Sequence, residues 1–475
     1  MESNRRLARF VQQMILPPDL TGRERHLLKS HLLSACFTGI VVGSLNLADV
    51  TLTKTLGASP IQVTILSLLT AVAFLGSLFW VGTMRGRRKA PFIVAAAIGG
   101  RLTFWLVGLS NDPRWFLLLV GIAWLAQAII VTAQVSIIQR AYRRAHRNSL
   151  FGLSVSIMTL MNLATSVGMG WLLDWNEGAY GIYYGIAGTA GFVGALLLAR
   201  MERGLERYRG PAWGAAAPGE SDVPPLGAVA YPGAGTYRPM GQPGLGATWR
   251  SMRESVQLVA RILKDDPAFR RFQRNFFIYG IAFIALLPVV PIFLVHDLQL
   301  DYRQIGLAKG LMGQAGMILF PPLLGRAMER LGPVRHSARM FAFLALYPLF
   351  LTAAGLVAGK LQLPLTFIAF GCFGIGMAGI SLAWHMSSIH FARNEDPSSY
   401  QAVHAVLTGV RGSFAPFLGY LLIQTGSAIH AFLASAFLLL LAAALMLRMA
   451  RDGDSQPAGV GAGPPATGGS AGKRD

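Results

Sequence analysis

Charge is scarce in this 475-residue chain: only 13% of its residues carry one, about half the share usual in soluble domains. At this length a soluble chain makes about three domains. Three domains with so little charge leave too little polar surface to stay in solution, which excludes a soluble enzyme. Acids are scarcer still, 22 Asp and Glu against 42 Lys and Arg, a formal charge of +20. Cysteine is nearly absent. Cys36 and Cys372 both lie in apolar runs, which excludes a disulfide framework or a cysteine metal site and leaves them as small packing residues. No Walker A loop, His-Glu-x-x-His or Gly-x-Ser-x-Gly occurs, so ATP binding by that loop and the common protease and hydrolase chemistries have no signature here. No cofactor and no metal site is expected.

What the chain does have is hydrophobic length, 53% of residues. About 20 consecutive apolar residues span a bilayer. Twelve runs qualify: 31–54, 61–82, 91–109, 115–138, 149–173, 179–199, 272–295, 304–325, 338–358, 365–388, 400–424 and 427–448. The breaks carry turn residues, such as Gly57 to Pro60 and Asn111-Asp112-Pro113. Pro211 to Gly246 is rich in Pro, Gly and Ala and reads as a flexible linker. Met252, Val256, Val259, Ile262 and Leu263 follow at helical spacing with Arg253, Arg261 and Lys264 between them, the pattern of a basic helix on a membrane face or else of a solvated connector. Leu7, Phe10, Val11, Met14 and Ile15 suggest a similar surface helix at the start, not a cleaved signal.

The excess of basic residues is then topological. Nucleic-acid binders gather basic residues on a hydrophilic face, whereas these sit between apolar runs. Only Lys54, Arg114, Arg303 and Lys360 fall on the far side of the twelve runs, and Arg101, Lys309 and Arg411 fall inside them. All other Lys and Arg lie on the side of the N-terminus, the cytoplasmic side by the positive-inside rule. Both termini and the linker are expected there. The expected domains are a cytoplasmic segment 1–30, a six-helix bundle 31–200, a cytoplasmic linker with an amphipathic helix 201–270, a second bundle 271–449 and a disordered tail 450–475.

The halves also echo each other. Leu56-Gly-Ala-Ser-Pro-Ile-Gln62 aligns with Leu298-Gln-Leu-Asp-Tyr-Arg-Gln304 at an offset of 242, Gly82 with Gly325 at 243, and Gly170-Trp-Leu-Leu173 with Gly419-Tyr-Leu-Leu422 at 249. The last offset sets Thr159 on Thr408 and Asn162 on Arg411. The offsets hold near one half-length and follow chain order, as in transporters built from repeated halves.

Gly325-Arg-Ala-Met-Glu329-Arg330-Leu-Gly332 is similar to the signature of the major facilitator superfamily, which also recurs between spans two and three. There this chain reads Gly82-Thr-Met-Arg85-Gly86-Arg87-Arg88-Lys89, with the basic part present and the acid missing. Asp266-Pro-Ala-Phe-Arg270-Arg271 and the segment Leu407 to Gly419 resemble poorly characterised bacterial members. The resemblance implies an all-α membrane protein of twelve helices in two six-helix bundles related by a pseudo-two-fold repeat. It also implies alternating-access transport, with the gating role carried onto Gly325, Glu329, Arg330 and Gly332 and onto Gly82, Arg85 and Arg88. It names no substrate.

Polar residues inside a span are kept for a pathway or an ion pair. Arg411, Thr408 and His404 share one face of span eleven, with Tyr400 extending the stripe and Pro416 available to kink the helix. Guanidinium binds carboxylate or phosphate bidentately. Arg411 therefore reads either as an anchor for an anionic or polar solute or as a tie to a neighbouring helix. Asn162, with Ser166 one turn on, reads as cavity lining or an interhelical hydrogen bond. Gln127 and Gln134 share a face of span four and suit a pathway. Asp49, the one acid well inside an early span, is a candidate coupling site or a solvated end residue beside Lys54. Lys309 and Gln314 lie among Gly306, Gly310, Gly313 and Gly316, which suit close helix packing. Lys309 reads as a coupling residue or a snorkelling one, Gln314 as a solute contact. Arg101 reads as a structural pair. Trp384, His385 and His390 read as an interfacial belt.

The sequence thus predicts a secondary transporter of a small anionic or polar solute, no enzyme, with the lipid bilayer, the solute and coupling protons as partners. It would be a monomer, multi-pass in a bacterial inner membrane, and would bind no nucleic acid. The alternative is a membrane scaffold that kept the fold and lost transport.

Overall fold

The computed structural model describes residues 20–84, 88–207, 257, 259–392 and 397–452. The surface helix expected at residues 7–15, most of the linker and the tail lie outside them. The regular structure of the described residues is helical. Its helices are α1 Gly22–Asn46, α2 Pro60–Met84, α3 Ala90–Arg101, α4 Pro113–Ala141, α5 Arg144–Trp175, α6 Tyr180–Arg207, α7 Pro267–Ile292, α8 Tyr302–Gly306, α9 Gly313–Leu319, α10 Pro321–Leu344, α11 Leu346–Leu356, α12 Gln362–Ala392, α13 Pro397–Thr425 and α14 Ala428–Arg451. Among the described residues, 10 helical stretches are long and apolar enough to cross a membrane, and Pro60–Ala73 is a shorter apolar one.

The helices begin where the sequence offers a cap. Thr21 and Glu24 form a capping box at α1, and Asp301 and Gln304 form another at α8. Asp112 and Asp266 cap α4 and α7, each followed by a proline at the first helical position. The side-chain oxygens take up amides that would otherwise be orphaned, and proline has no amide to lose there. The first helix starts at Gly22, ahead of residue 31. Of the expected amphipathic segment, Val259 and Ile262 are buried against the protein core while Arg261 and Lys264 are exposed.

The signature around Gly325 is helical up to a single break. Gly332 takes φ 71 and ψ 164, a left-handed conformation that favours glycine. Pro333 then opens the next helical run, which suits a residue with no amide to donate.

Residues 22–207 pack mainly among themselves: α1 lies against α5 and α6, α4 against α2 and α3, and α3 against α6. Residues 267–451 do likewise, α7 lying against α13 and α14, and α12 against α9, α10 and α11. The two sets meet where α2 packs on α13 and α7, and where α5 packs on α8 and the turn after it.

The repeat is visible in the backbone. A π-helical turn at Thr51–Thr55 ends the first helix, and one at Phe293–Asp297 ends α7. The amide of Leu56 bonds Thr51 and that of Ala58 bonds Leu52; the amides of Leu298 and Leu300 bond Phe293 and Leu294. Gly57 has φ 60 and Gln299, its equivalent at the offset of 242, has φ 52. A Ser59–Gln62 pair and the Asp301–Gln304 pair then open the next helix of each half.

Candidate functional site

The strongest polar feature joins the two halves. The ammonium of Lys309 lies 2.7 Å from both carboxylate oxygens of Asp49. Their side chains are 12% and 24% exposed. Asp49 follows α1, just before the Thr51–Thr55 turn, and Lys309 sits on the π-helical turn Leu307–Met312. Such turns widen a helix locally and re-aim its side chains. The chain thus brings together two candidates 260 residues apart. The pair is charge-assisted and doubly bonded, the strong class of hydrogen bond.

More ties lie at the same end. Lys54 donates to the carbonyl of Leu300 at 3.2 Å and sits 4.8 Å from the centre of the Tyr302 ring. The Tyr302 and Thr55 hydroxyls are hydrogen-bonded. The carboxylate of Asp174, at the end of α5, accepts the amides of Tyr302 and Arg303 at 2.7 Å each, so one half caps a helix of the other. Arg303 stacks over Trp171, 4.3 Å from the ring centre. Gly306 and Gly310 let α5 approach closely around Ser166, as the run of glycines suggests.

Arg411, Thr408 and His404 do share one face of α13, and that face meets α7. Arg411 is 6% exposed. Its Nη1 donates to the carbonyl of Phe276 at 2.8 Å and its Nη2 to the Thr408 hydroxyl at 3.1 Å. The guanidinium lies 5.9 Å and 5.7 Å from the ring centres of Phe276 and Tyr279. Its Nε is buried without a partner, and among the described residues no acid forms a salt bridge with it. Gly280 makes the room, since a Cβ there would strike the guanidinium. His404 is buried among Phe269, Phe272, Phe276 and Trp384 and shares a 2.9 Å hydrogen bond with Ser387.

Asn162, the repeat partner of Arg411, likewise faces the first helix of its own half. Its Oδ1 accepts from Ser166 at 3.1 Å, and Asn46 of α1 donates to the Ser166 hydroxyl at 3.2 Å. Gln127 accepts a hydrogen bond from Arg101, giving that buried arginine an amide partner in α4. Gln134 and Gln314 are half-buried. Glu329 and Arg330 are exposed, Gly325 is half-buried and Gly332 is the helix break. Gly82 lies within α2, Arg85 lies outside the described residues and Arg88 is exposed.

Three acids escaped the sequence reading. Asp174 is one. Glu24, almost fully buried, pairs with Arg143 at 3.4 Å and His146 at 3.3 Å and ties α1 to α5. Glu202 of α6 accepts the amides of Lys89 (2.9 Å) and Ala90 at the start of α3 and pairs with Arg140 of α4 at 2.7 Å. It stands beside the loop that lacks the signature acid. Acids are so few that each one near an apolar run was a usable signal.

Residues 275–469 match the Major Facilitator Superfamily. No curated protein matches the sequence. In fold, the chain is similar to a bacterial homologue of the human lysosomal transporter Spinster in an inward-facing, unoccupied conformation, at 14% identity and a TM-score of 0.57 over 91% of this chain and 98% of that one. It is similar to the nucleoside transporter NupG at 13% identity and 0.57, over 89% and 99%. It is also similar to a peptide transporter, POT, in complex with sulfate at 11% identity and 0.64, over 90% and 94%. Residues 275–469 thus match the superfamily in sequence, and nearly the whole chain is similar in fold to these solved transporters, in keeping with the 10 helical stretches of membrane-crossing length among its described residues.

Proposed function

We propose that the chain is a secondary transporter, not an enzyme, moving a small polar or anionic solute by alternating access between two six-helix bundles. The observation that carries this is the Asp49–Lys309 ion pair across the halves. A tie made of one acid and one base breaks when the acid is protonated, so it can couple the closed end of the molecule to protons. Twelve spans fit the helices. The stretch Leu323–Leu356 is divided by Gly332, so residues 302–331 make one crossing and 333–356 the next, and Pro60–Met84 adds another to the stretches already long enough. An even count puts both termini on one side, which the distribution of Lys and Arg makes cytoplasmic. The ties at Asp49, Lys54 and Asp174 then close the outer side.

Arg411 supports an anionic solute, because its charge is buried with no acid paired against it among the described residues. His404, Thr408, Asn162, Gln127, Gln134 and Gln314 are the further solute contacts in this reading, and the helix ends at Gly82–Arg88 and Gly325–Gly332 are its gates. The absence of an acid in the first of those gates favours a second reading, a scaffold that no longer transports.

Reconstitution in liposomes with a mixed metabolite pool tests the proposal. Uptake that follows a pH gradient and is lost in Asp49→Asn is expected. A folded, correctly inserted protein that moves no solute under any ion or solute gradient would establish the scaffold reading instead.

A further inference from the structure

Arg101 closes α3 where the chain tightens into the 3-10 helix Leu102–Leu109. It is 2% exposed, and among the described residues no acid forms a salt bridge with it. Gly191 of α6 leaves it room, since a Cβ there would meet its Cδ and Nε. Its Nη2 donates to the Oε1 of Gln127 on α4, while its Nε and Nη1 are buried without partners. That one bond fixes the amide. A carboxamide held by nothing turns either end outward, but a guanidinium has donors alone, so it must face the oxygen of Gln127. The Nε2 of Gln127 is left over, without a partner among the described residues and not sealed off. The amide of Asn162 stands likewise. Its Oδ1 accepts from Ser166, and its Nδ2 has no partner among the described residues.

We propose, resting on the transporter reading above, that the solute is an acid without an amine, a carboxylate or phosphate that offers hydrogen-bond acceptors alone, and that Arg101 is the positioning residue that makes Gln127 a fixed donor to it. The polar groups assigned to the solute present donors from both halves. Gln127 and Asn162 offer N–H groups from residues 22–207, and Arg411 offers its guanidinium from residues 267–451. Fixed acceptors are missing. The Thr408 hydroxyl donates to the carbonyl of His404 and accepts from Arg411, and the Asp49 carboxylate is held by Lys309. Gln134 and Gln314 make no hydrogen bond among the described residues and turn to suit either kind of group. An ammonium brought here would meet donors and a second cation, a like-charge contact that also leaves its own N–H groups unpaired. Gln127 does not turn to meet it, because its N–H would then face the N–H of Arg101. A guanidinium kept in a span at such cost has a function, and the one side chain it holds among the described residues is Gln127.

The full-length protein in detergent is mixed with matched pairs that differ by the amine: propionate and alanine, succinate and aspartate, phenylpropionate and phenylalanine, ethyl phosphate and phosphoethanolamine. Binding is read as the shift in melting temperature. At least one acid is expected to bind, roughly a hundredfold or more tightly than its amine partner. Gln127→Glu keeps the tie and gives Arg101 an acid, so the melting temperature of the free protein is expected to rise, while the acid binds roughly tenfold or more weakly. A purely structural role would move the first readout and leave the second. Gln127→Leu is expected to weaken the acid by roughly tenfold, and Arg101→Lys, which still donates to the amide oxygen, to keep the preference for the acid. An amine that binds as well as its acid, unchanged binding of the acid by Gln127→Glu, or a protein that binds none of these compounds overturns the proposal. If the Glu variant fails to fold, the Leu variant and the matched pairs on the unaltered protein still decide. Binding of an acid without its uptake in liposomes would sink the transporter reading and leave the chemistry of the site as stated; uptake of the amines would do the reverse.

Discussion

Replacing Asp49 by Asn removes one charge from the tie and leaves its shape. A buried pair broken on one side costs about 3–5 kcal/mol, an exposed one about 0–1 kcal/mol. The Asp49 side chain is 24% exposed and that of Lys309 12%, so the cost falls between, about 2 kcal/mol. Because the pair joins the halves, that cost falls on the state in which these ends meet. About 2 kcal/mol is roughly a thirtyfold change in the ratio of closed to open molecules. Spin labels at the exposed positions Asn111 and Lys360, introduced after Cys36 and Cys372 are replaced, report the distance between the halves. Asp49→Asn and Lys309→Gln are each expected to lengthen the main distance toward a population in which these ends are parted. The exchange Asp49→Lys with Lys309→Asp is expected to restore the short one. Distance distributions unchanged by either single substitution would show that the pair does not hold the closed state, and proton coupling through it would fail with it.

Four further outcomes follow from the same contacts. Arg411→Met keeps the volume and removes the charge, so the melting temperature is expected to hold, as it often does when a buried charge gives way to an apolar isostere, while binding of an anionic solute is lost; unchanged uptake would remove Arg411 from the solute site. Gly280→Ala drives a Cβ into the guanidinium of Arg411 and is expected to cost about 1–3 kcal/mol, read as a lower melting temperature that Arg411→Met in the same chain partly restores. Glu202→Gln keeps the size and loses the charge shared by Arg140 and the start of α3, for about 1–3 kcal/mol, seen as faster amide exchange over residues 89–93. Gly57→Ala meets open space but a φ of 60, and is expected to cost about 1 kcal/mol by chemical denaturation, whereas Gln299→Gly at the equivalent turn costs little or stabilises.

The membrane class was legible because it needs only composition and run length: a helix crosses lipid on its own hydrogen bonds, whatever its neighbours are. The repeat was legible for a related reason. Turns are local, and Leu56–Gln62 and Leu298–Gln304 carry the same backbone hydrogen bonds and the same left-handed position. The boundaries were harder. The signature ending at Gly332 reads as a loop, yet one left-handed glycine followed by proline is enough to stop one helix and start another.

Pairing was not legible. Asp49 and Lys309 each stood out for the cost of a charge in a span, but only the packing of α5 against α8 and its following turn brings them within 2.7 Å. Arg411 looked the same in sequence, and its tertiary neighbours turned it against the carbonyl of Phe276 over Gly280. Glu24, Asp174 and Glu202 gave little sign of their work, since the amides and guanidinium groups they hold belong to other helices. The sequence by itself determined that the chain carries helices fit for a membrane, how its charge is distributed along them and that one turn recurs at an offset of 242. Which buried charges meet each other, and which stay unmatched, was decided by the tertiary structure, because the cost of a charge in lipid depends on partners that only the fold supplies.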